Sequence, residues 1–68
     1  MQVGDLVRHN GDGPVGWKMK DAIGMLVKHI GNFNGGEWQV RWASSWVSEW
    51  DQGVHWFSPE LEVISENR

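Results

Sequence analysis

Apolar and polar residues alternate with a two-residue period across Glu37-Trp38-Gln39-Val40-Arg41-Trp42, so Trp38, Val40 and Trp42 share one face of an extended strand, and that face is assigned to the interior. Upstream, Ala22 to Ile30 is the longest apolar run; its β-branched residues and interior glycine predict a curved central strand bent at Gly24. Val3 to His9 reads as a first strand entered through a Gly4-Asp5 turn, because Gly and Asp tolerate the backbone angles of a turn. Val54 to Phe57 reads as a fourth strand. Leu61-Glu62-Val63-Ile64 reads as a fifth, with Leu61 and Val63 inward and Glu62 outward.

The connections are written in Gly, Asn, Asp and Pro. Asn10-Gly11-Asp12-Gly13-Pro14-Val15-Gly16 is too rich in them for a regular element, so a long first loop is expected to run to about Asp21. Within it Trp17 is either a lid folded back on the domain or a residue that faces a partner. Gly31 to Gly36 has the composition of a hairpin connection. Ser58-Pro59-Glu60 predicts a one-turn 3-10 helix before the last strand, with Ser58 as its cap, Pro59 at the first position and Glu60 near the positive end.

Between Ala43 and Gly53 two periods compete. Trp38, Trp42, Trp46 and Trp50 recur every four residues, which on a helix forms one stripe, with Gly53 to terminate it. Against a helix from Trp38 to Trp50, Gly35-Gly36 is a poor start, Ser44, Ser45 and Ser48 are mediocre helix formers, and Val40 falls off the stripe. The favoured reading ends the third strand near Ala43 and makes Ser44 to Gln52 an elaborated connection. In that reading Asp51-Gln52-Gly53 can turn a short strand at Trp46 to Trp50 back onto the fourth strand. The expected fold is all-β: a small five-stranded barrel formed by residues 1–65, followed by a polar tail at 66–68.

Composition adds a constraint on where the rings go. The chain has 68 residues, six tryptophans and no cysteine or tyrosine. A domain this short buries only about 60% of the surface its unfolded chain exposes, and each indole brings roughly 150–250 Å². Some rings are therefore expected outside, where exposed aromatic patches mark contact sites. Disulfides are excluded, and their absence fits a reducing compartment. A net charge of −3 and a pI near 5.4 count against non-specific nucleic-acid binding, which draws on Lys and Arg. No apolar stretch reaches the length of a membrane helix, and the first residues lack the pattern of a secretory signal. The expected location is the cytoplasm of a host cell or a virion, neither secreted nor in a membrane.

Five short strands, a long first loop and one helical turn before the last strand resemble the SH3-like barrel. Val3-Gly4-Asp5-Leu6-Val7 resembles the opening strand of KOW and Tudor-like barrels. Ile23-Gly24-Met25-Leu26-Val27, Val40-Arg41-Trp42, and Trp56 followed by Ser58-Pro59-Glu60-Leu61-Glu62-Val63-Ile64 are similar to short orphan proteins of tailed bacteriophages, cyanophages among them. The first loop and the Trp46 to Gln52 segment depart from the simpler pattern. The resemblance implies a fold and a viral origin, and fold alone does not fix function.

Chemistry narrows the choice further. His9, His29 and His55 fall on three strands without a short metal-ligand spacing, so no metal or other cofactor is expected and each histidine is read as half-buried or exposed. The serines lie in turn, cap and tail contexts, the carboxylates Glu49, Asp51, Glu60 and Glu62 read as surface charge, and Gly11 to Gly16 is not followed by the Lys-Ser or Lys-Thr of a phosphate loop. No enzyme is expected. The candidate site is a protein-binding surface of Trp17, Trp46 and Trp50 with Glu49 and Asp51, since Trp is enriched at the energetic centres of interfaces. Its partner would be a host protein, a virion neighbour or a second copy of the chain. A cation held over the Trp46 and Trp50 rings is a narrower version, as in the cages with which Tudor-like proteins hold methylated Lys or Arg. The alternative is a nucleic-acid-binding module of the KOW type, with Arg8, Lys18, Lys20 and Arg41 on phosphates and Trp rings stacking on bases.

Overall fold

The computed structural model describes residues 1–14 and 16–67, with the backbone alone for Trp50 and Asp51. The long apolar run forms the central strand. With strands numbered in chain order, β1 (Leu6–His9), β2 (Ile23–Gly31), β3 (Glu37–Trp42), β4 (His55–Phe57) and β5 (Leu61–Ser65) make one antiparallel sheet in the order β4-β3-β2-β1-β5. β4 and β5 are its edges, and a single 3-10 turn, Ser58–Glu60, joins them. No helix among the described residues is long and apolar enough to cross a membrane.

Register explains why β2 carries a glycine. Val63, Val7, Gly24 and Trp42 lie opposite one another in a row across four strands, and Leu26 faces Val40 in the next pair. A Cβ on Gly24 would stand 2.7 Å from Val40 Cγ1 and 2.8 Å from both the Arg41 carbonyl oxygen and Trp42 Cε3. The missing side chain is the space into which the neighbouring indole packs. Val7, Met19, Ala22, Leu26, Trp38, Val40, Trp42, Trp56 and Leu61 form the core, with Val47, Val54 and Val63 partly buried against it.

The expected alternation of β3 and β5 is observed, with Trp38, Val40, Trp42 and Leu61 buried and Glu62 exposed. A helix from Trp38 to Trp50 is not formed: Glu37–Trp42 is strand, because its apolar face pairs with β2 along its whole length. Three expectations are corrected. The first loop contains a regular element, the four-residue helix α1 (Gly16–Met19). It forms because one turn carries Met19 into the core, where only 1% of it is exposed. The connection after β3 contains the helical turn α2 (Glu49–Gln52) and no strand at residues 46–50. There the Gln52 side chain takes the place of a strand partner: its oxygen accepts the Trp42 amide at 2.9 Å and its nitrogen donates to the Trp42 carbonyl at 3.0 Å. Ser58 does not cap the last turn. Its hydroxyl instead accepts the Trp38 indole N–H at 3.1 Å and donates to the Gly35 carbonyl at 3.0 Å, which ties the turn at Phe33–Gly35 to the 3-10 turn. Glu60 provides the local cap by accepting the Phe57 amide at 2.9 Å.

The chain ends are joined by a buried acid. Asp5, 2% exposed, accepts the Asn67 amide at 2.7 Å on one oxygen and the Gln2 amide at 2.9 Å on the other. The Asn67 side chain donates to the Val3 carbonyl, and the Gln2 side chain donates to the Asn67 carbonyl. The polar residues after β5 thus lie on the turn before β1. The Asn67 amide above all, with that of Gln2, holds the Asp5 carboxyl below its ordinary value, although burial pulls the other way.

Two outcomes follow from this packing. Gly24→Ala is expected to lower stability by about 1–3 kcal/mol through overpacking, read as a fall in the denaturant midpoint at unchanged slope; an unchanged midpoint would show that β3 gives way freely. Because the folded value of Asp5 is depressed, its contribution is complete above the ordinary carboxylate range and is lost as pH falls through the folded value. Asp5→Asn is therefore expected to lower stability at neutral pH and to flatten the acid limb of a stability–pH curve.

Candidate functional site

The first loop is pinned at both ends. From β1, the Asn10 amide donates to the Glu60 carbonyl at 3.0 Å and the Asn10 side chain donates to the Pro59 carbonyl at 2.6 Å. The Asp12 amide returns to the Asn10 side-chain oxygen at 2.9 Å, and the Gly11 amide donates to His9 Nδ1 at 3.0 Å. At the far end, the Asp21 amide donates to the His9 carbonyl and the His9 amide to the Ala22 carbonyl, both at 2.9 Å. In the middle, Gly16 lies directly on the backbone carbonyl of Gly11, where any Cβ would collide. Here a glycine is required by close approach of two backbone segments.

This scaffold holds Trp17 out. Its neighbours in α1, Gly16 and Met19, are buried, while Trp17 is 81% exposed. The ring is a surface residue and not a lid. Trp46, in the connection after β3, is 54% exposed, while the adjacent Val47 packs on the core. Glu49, at the start of α2, is exposed. The side chains of Trp50 and Asp51, the other members of the expected binding surface, lie outside the described residues. The remaining indoles are interior: Trp38, Trp42 and Trp56 are 6%, 4% and 2% exposed.

The basic residues of the alternative reading are dispersed in their engagements. Arg8 is bound to Glu62 at 2.5 Å, and that hydrogen bond raises its already high pKa. The methylenes of Lys20 lie over Gly11. Lys18 and Arg41 are exposed, the former on α1 and the latter on β3 opposite Met25.

Sequence reasoning missed His9. Far from half-buried, it is fully enclosed, its ring centroid 4.8 Å from Trp56 in an edge-on contact and 6.0 Å from Trp42. A signal was present: His9 follows Val7 by two residues, so a strict period of two puts both on the inner face. Since Nδ1 accepts a hydrogen bond, the ring proton sits on Nε2. That atom faces Glu60 Oε2 at 3.9 Å and has no hydrogen-bond partner. The indole N–H groups of Trp42 and Trp56 are likewise buried without an acceptor. Burial holds His9 below its ordinary pKa, opposed by the carboxylates of Glu60 and Asp12. Glu60, read as surface charge, is instead nearly enclosed, with 13% of its side chain exposed.

The other two histidines go elsewhere. His29 stacks on Trp38 with centroids 4.4 Å apart, and His55 meets Glu37 at 3.1 Å. Among the described residues no group of three His, Asp or Glu side chains is placed to hold a metal ion. The same first loop also forms one wall of a cleft of about 390 Å³, lined by Asp12, Pro14, Trp56, Phe57, Pro59 and Glu60 among others. No protein-family model, curated protein or solved structure matches this chain.

The contact of Gly16 with Gly11 is the element most sensitive to change. Gly16→Ala is expected to destabilise the chain by about 1–3 kcal/mol and to speed hydrogen exchange at the Gly11 amide more than at Leu26 in β2. Equal effects at both amides would mean that the loop has no hold of its own on Trp17.

Proposed function

We propose that this chain is a non-enzymatic protein-binding module that engages its partner through Trp17 and Trp46. One observation carries the reading: Trp17 is 81% exposed on a loop fixed by backbone and side-chain hydrogen bonds and by the Gly11–Gly16 contact. A large ring on a loose loop loses backbone and side-chain freedom when it binds, whereas a ring on a backbone already fixed by its scaffold loses less. Indoles are also the side chains most enriched at the energetic centres of interfaces. The cleft walled by Asp12 to Pro14 of the same loop gives a partner a concave surface as well. In the phage setting suggested by the resemblance, the partner is a host protein, a virion neighbour or a second copy of the chain. The nucleic-acid reading is disfavoured because Glu62 engages Arg8 and the chain carries a net charge of −3.

The test separates contact rings from core rings. Trp17→Ser and Trp46→Ser are expected to abolish partner capture from a host lysate while changing stability by no more than about 0.5 kcal/mol, as surface substitutions do. Trp56→Ala is expected to lose about 3–5 kcal/mol and to unfold the domain. Partner sets that are the same with and without Trp17 and Trp46 would overturn the proposal.

A further inference from the structure

We propose that His9 is a proton-operated latch on the first loop: protonation of its enclosed ring releases Gly11 and, through the Gly11–Gly16 contact, the backbone of α1 that carries Trp17. The link to partner binding rests on the proposed function; the release itself is a property of the free chain.

The argument starts from one hydrogen bond. His9 Nδ1 accepts the Gly11 amide at 3.0 Å, which only a neutral ring with its proton on Nε2 can do. A protonated ring carries N–H at both nitrogens, so two donors would then face each other at the same place. The ring cannot turn away, because Trp56 and Trp42 pack on it and none of it is exposed. The lighter side of the conflict is the loop. Gly11 sits on it beneath Gly16, so movement of Gly11 carries the start of α1 and Trp17 with it.

The opposite edge of the ring makes the charged state reachable. Glu60 Oε2 lies 3.9 Å from Nε2, so the imidazolium exchanges its contact with Gly11 for a stronger attraction to a carboxylate. The ionisable groups that face the ring are Glu60 from the 3-10 turn and Asp12 from the first loop. β3 and β4 bring the rings of Trp42 and Trp56 against it. Arg8, the preceding residue of β1, is on the other face and is bound to Glu62.

The sign follows from burial. His9 is held below its ordinary value, so its neutral form supports the closed loop fully above a pH of about 6.5, and this support is lost as pH falls through the folded value. Asp5, itself held below the usual carboxylate range, keeps the chain ends joined over the same interval.

Nuclear magnetic resonance on the free chain tests this. The His9 ring, the protection factor of the Gly11 amide and a fluorotryptophan signal from Trp17 are followed as pH is lowered. Between the ordinary and the folded values of His9, Gly11 protection is expected to fall about tenfold per pH unit, with a matching change at Trp17, while the Leu26 and Val40 amides stay protected. Glu60→Gln, which keeps an acceptor for the Phe57 amide, is expected to move the release to lower pH. His9→Asn offers Gly11 an acceptor that does not titrate, and its Gly11 protection is expected to be independent of pH. If His9→Asn does not fold, the Glu60→Gln shift decides. Gly11 protection that is constant across the His9 titration, loss at Leu26 and Val40 together with Gly11, or an unmoved midpoint in Glu60→Gln would each overturn the latch. Release with partner capture unaffected by Trp17→Ser would leave the latch standing and remove the proposed function; a closed Gly11 with capture lost in Trp17→Ser would do the reverse.

Discussion

The contact on which this molecule depends is the meeting of three rings at its centre. Trp56 stands edge-on to both Trp42, with centroids 5.8 Å apart, and His9. These residues come from β4, β3 and β1, so one cluster joins three strands, of which β1 neighbours neither of the others in the sheet. β4 is only three residues long and pairs with β3 alone. Ladder hydrogen bonds hold such a strand weakly, and the indole of Trp56 anchors it by burying roughly 150–250 Å² of surface. A chain of this length without disulfides has few other means of gaining cohesion. The same cluster explains Gly24, because an indole at Trp42 and a side chain opposite it on β2 cannot share one space.

The cluster also couples core to surface through a single side chain. One face of His9 is packing for Trp56, and one edge is the acceptor that fixes Gly11. An apolar residue in its place would pack and not hold the loop. An exposed polar residue would hold the loop and not pack. Histidine does both, at the cost of a buried Nε2–H that finds a carboxylate only at 3.9 Å. Buried polar groups without close partners are uncommon and destabilising, and here the destabilised group is the one on which the presentation of Trp17 rests.

How much of this was legible in the sequence depended on the range of the interactions involved. Trp38, Val40 and Trp42 announce their face by alternation, because a strand's neighbours above and below are set by its own period. Gly24 stands out inside an apolar run for the same local reason. α1 was not legible: Asn10 to Gly16 has the composition of a loop, and the turn after it forms because Met19 has a place in a core assembled from residues far along the chain. Asp5 looked like an ordinary turn residue, and nothing nearby in sequence foretold that Asn67 would return to it from the other end of the chain. Glu60 looked solvated because its enclosure comes from the first loop, whose path the sequence does not dictate. His9 was the exception, readable from its spacing to Val7 but outweighed by the usual preference of histidine for partial exposure. Composition leaves Trp17 as either a lid or a residue that faces a partner, and its 81% exposure removes the lid.

Why the outer indoles stay outside is a question of volume. At Trp17 and Trp46, the outward tryptophans among the described side chains, a smaller or more flexible neighbour enters the core instead: Met19 near Trp17, and Val47 beside Trp46. A turn of chain arriving at a nearly filled interior offers the side chain that fits the remaining gap, and an unbranched methionine or a compact valine fits where an indole does not. Once Trp38, Trp42 and Trp56 are enclosed, packing at crystal-like density leaves no room for Trp17 and Trp46 as well. The outward indoles are therefore a consequence of the inward ones, and one of them stands on a loop fastened to the central cluster through His9. Enlarging the core enough to take Trp17 inside would require loosening the packing that keeps β4 attached, so the fold and the outward place of its surface ring stand on the same cluster of three rings.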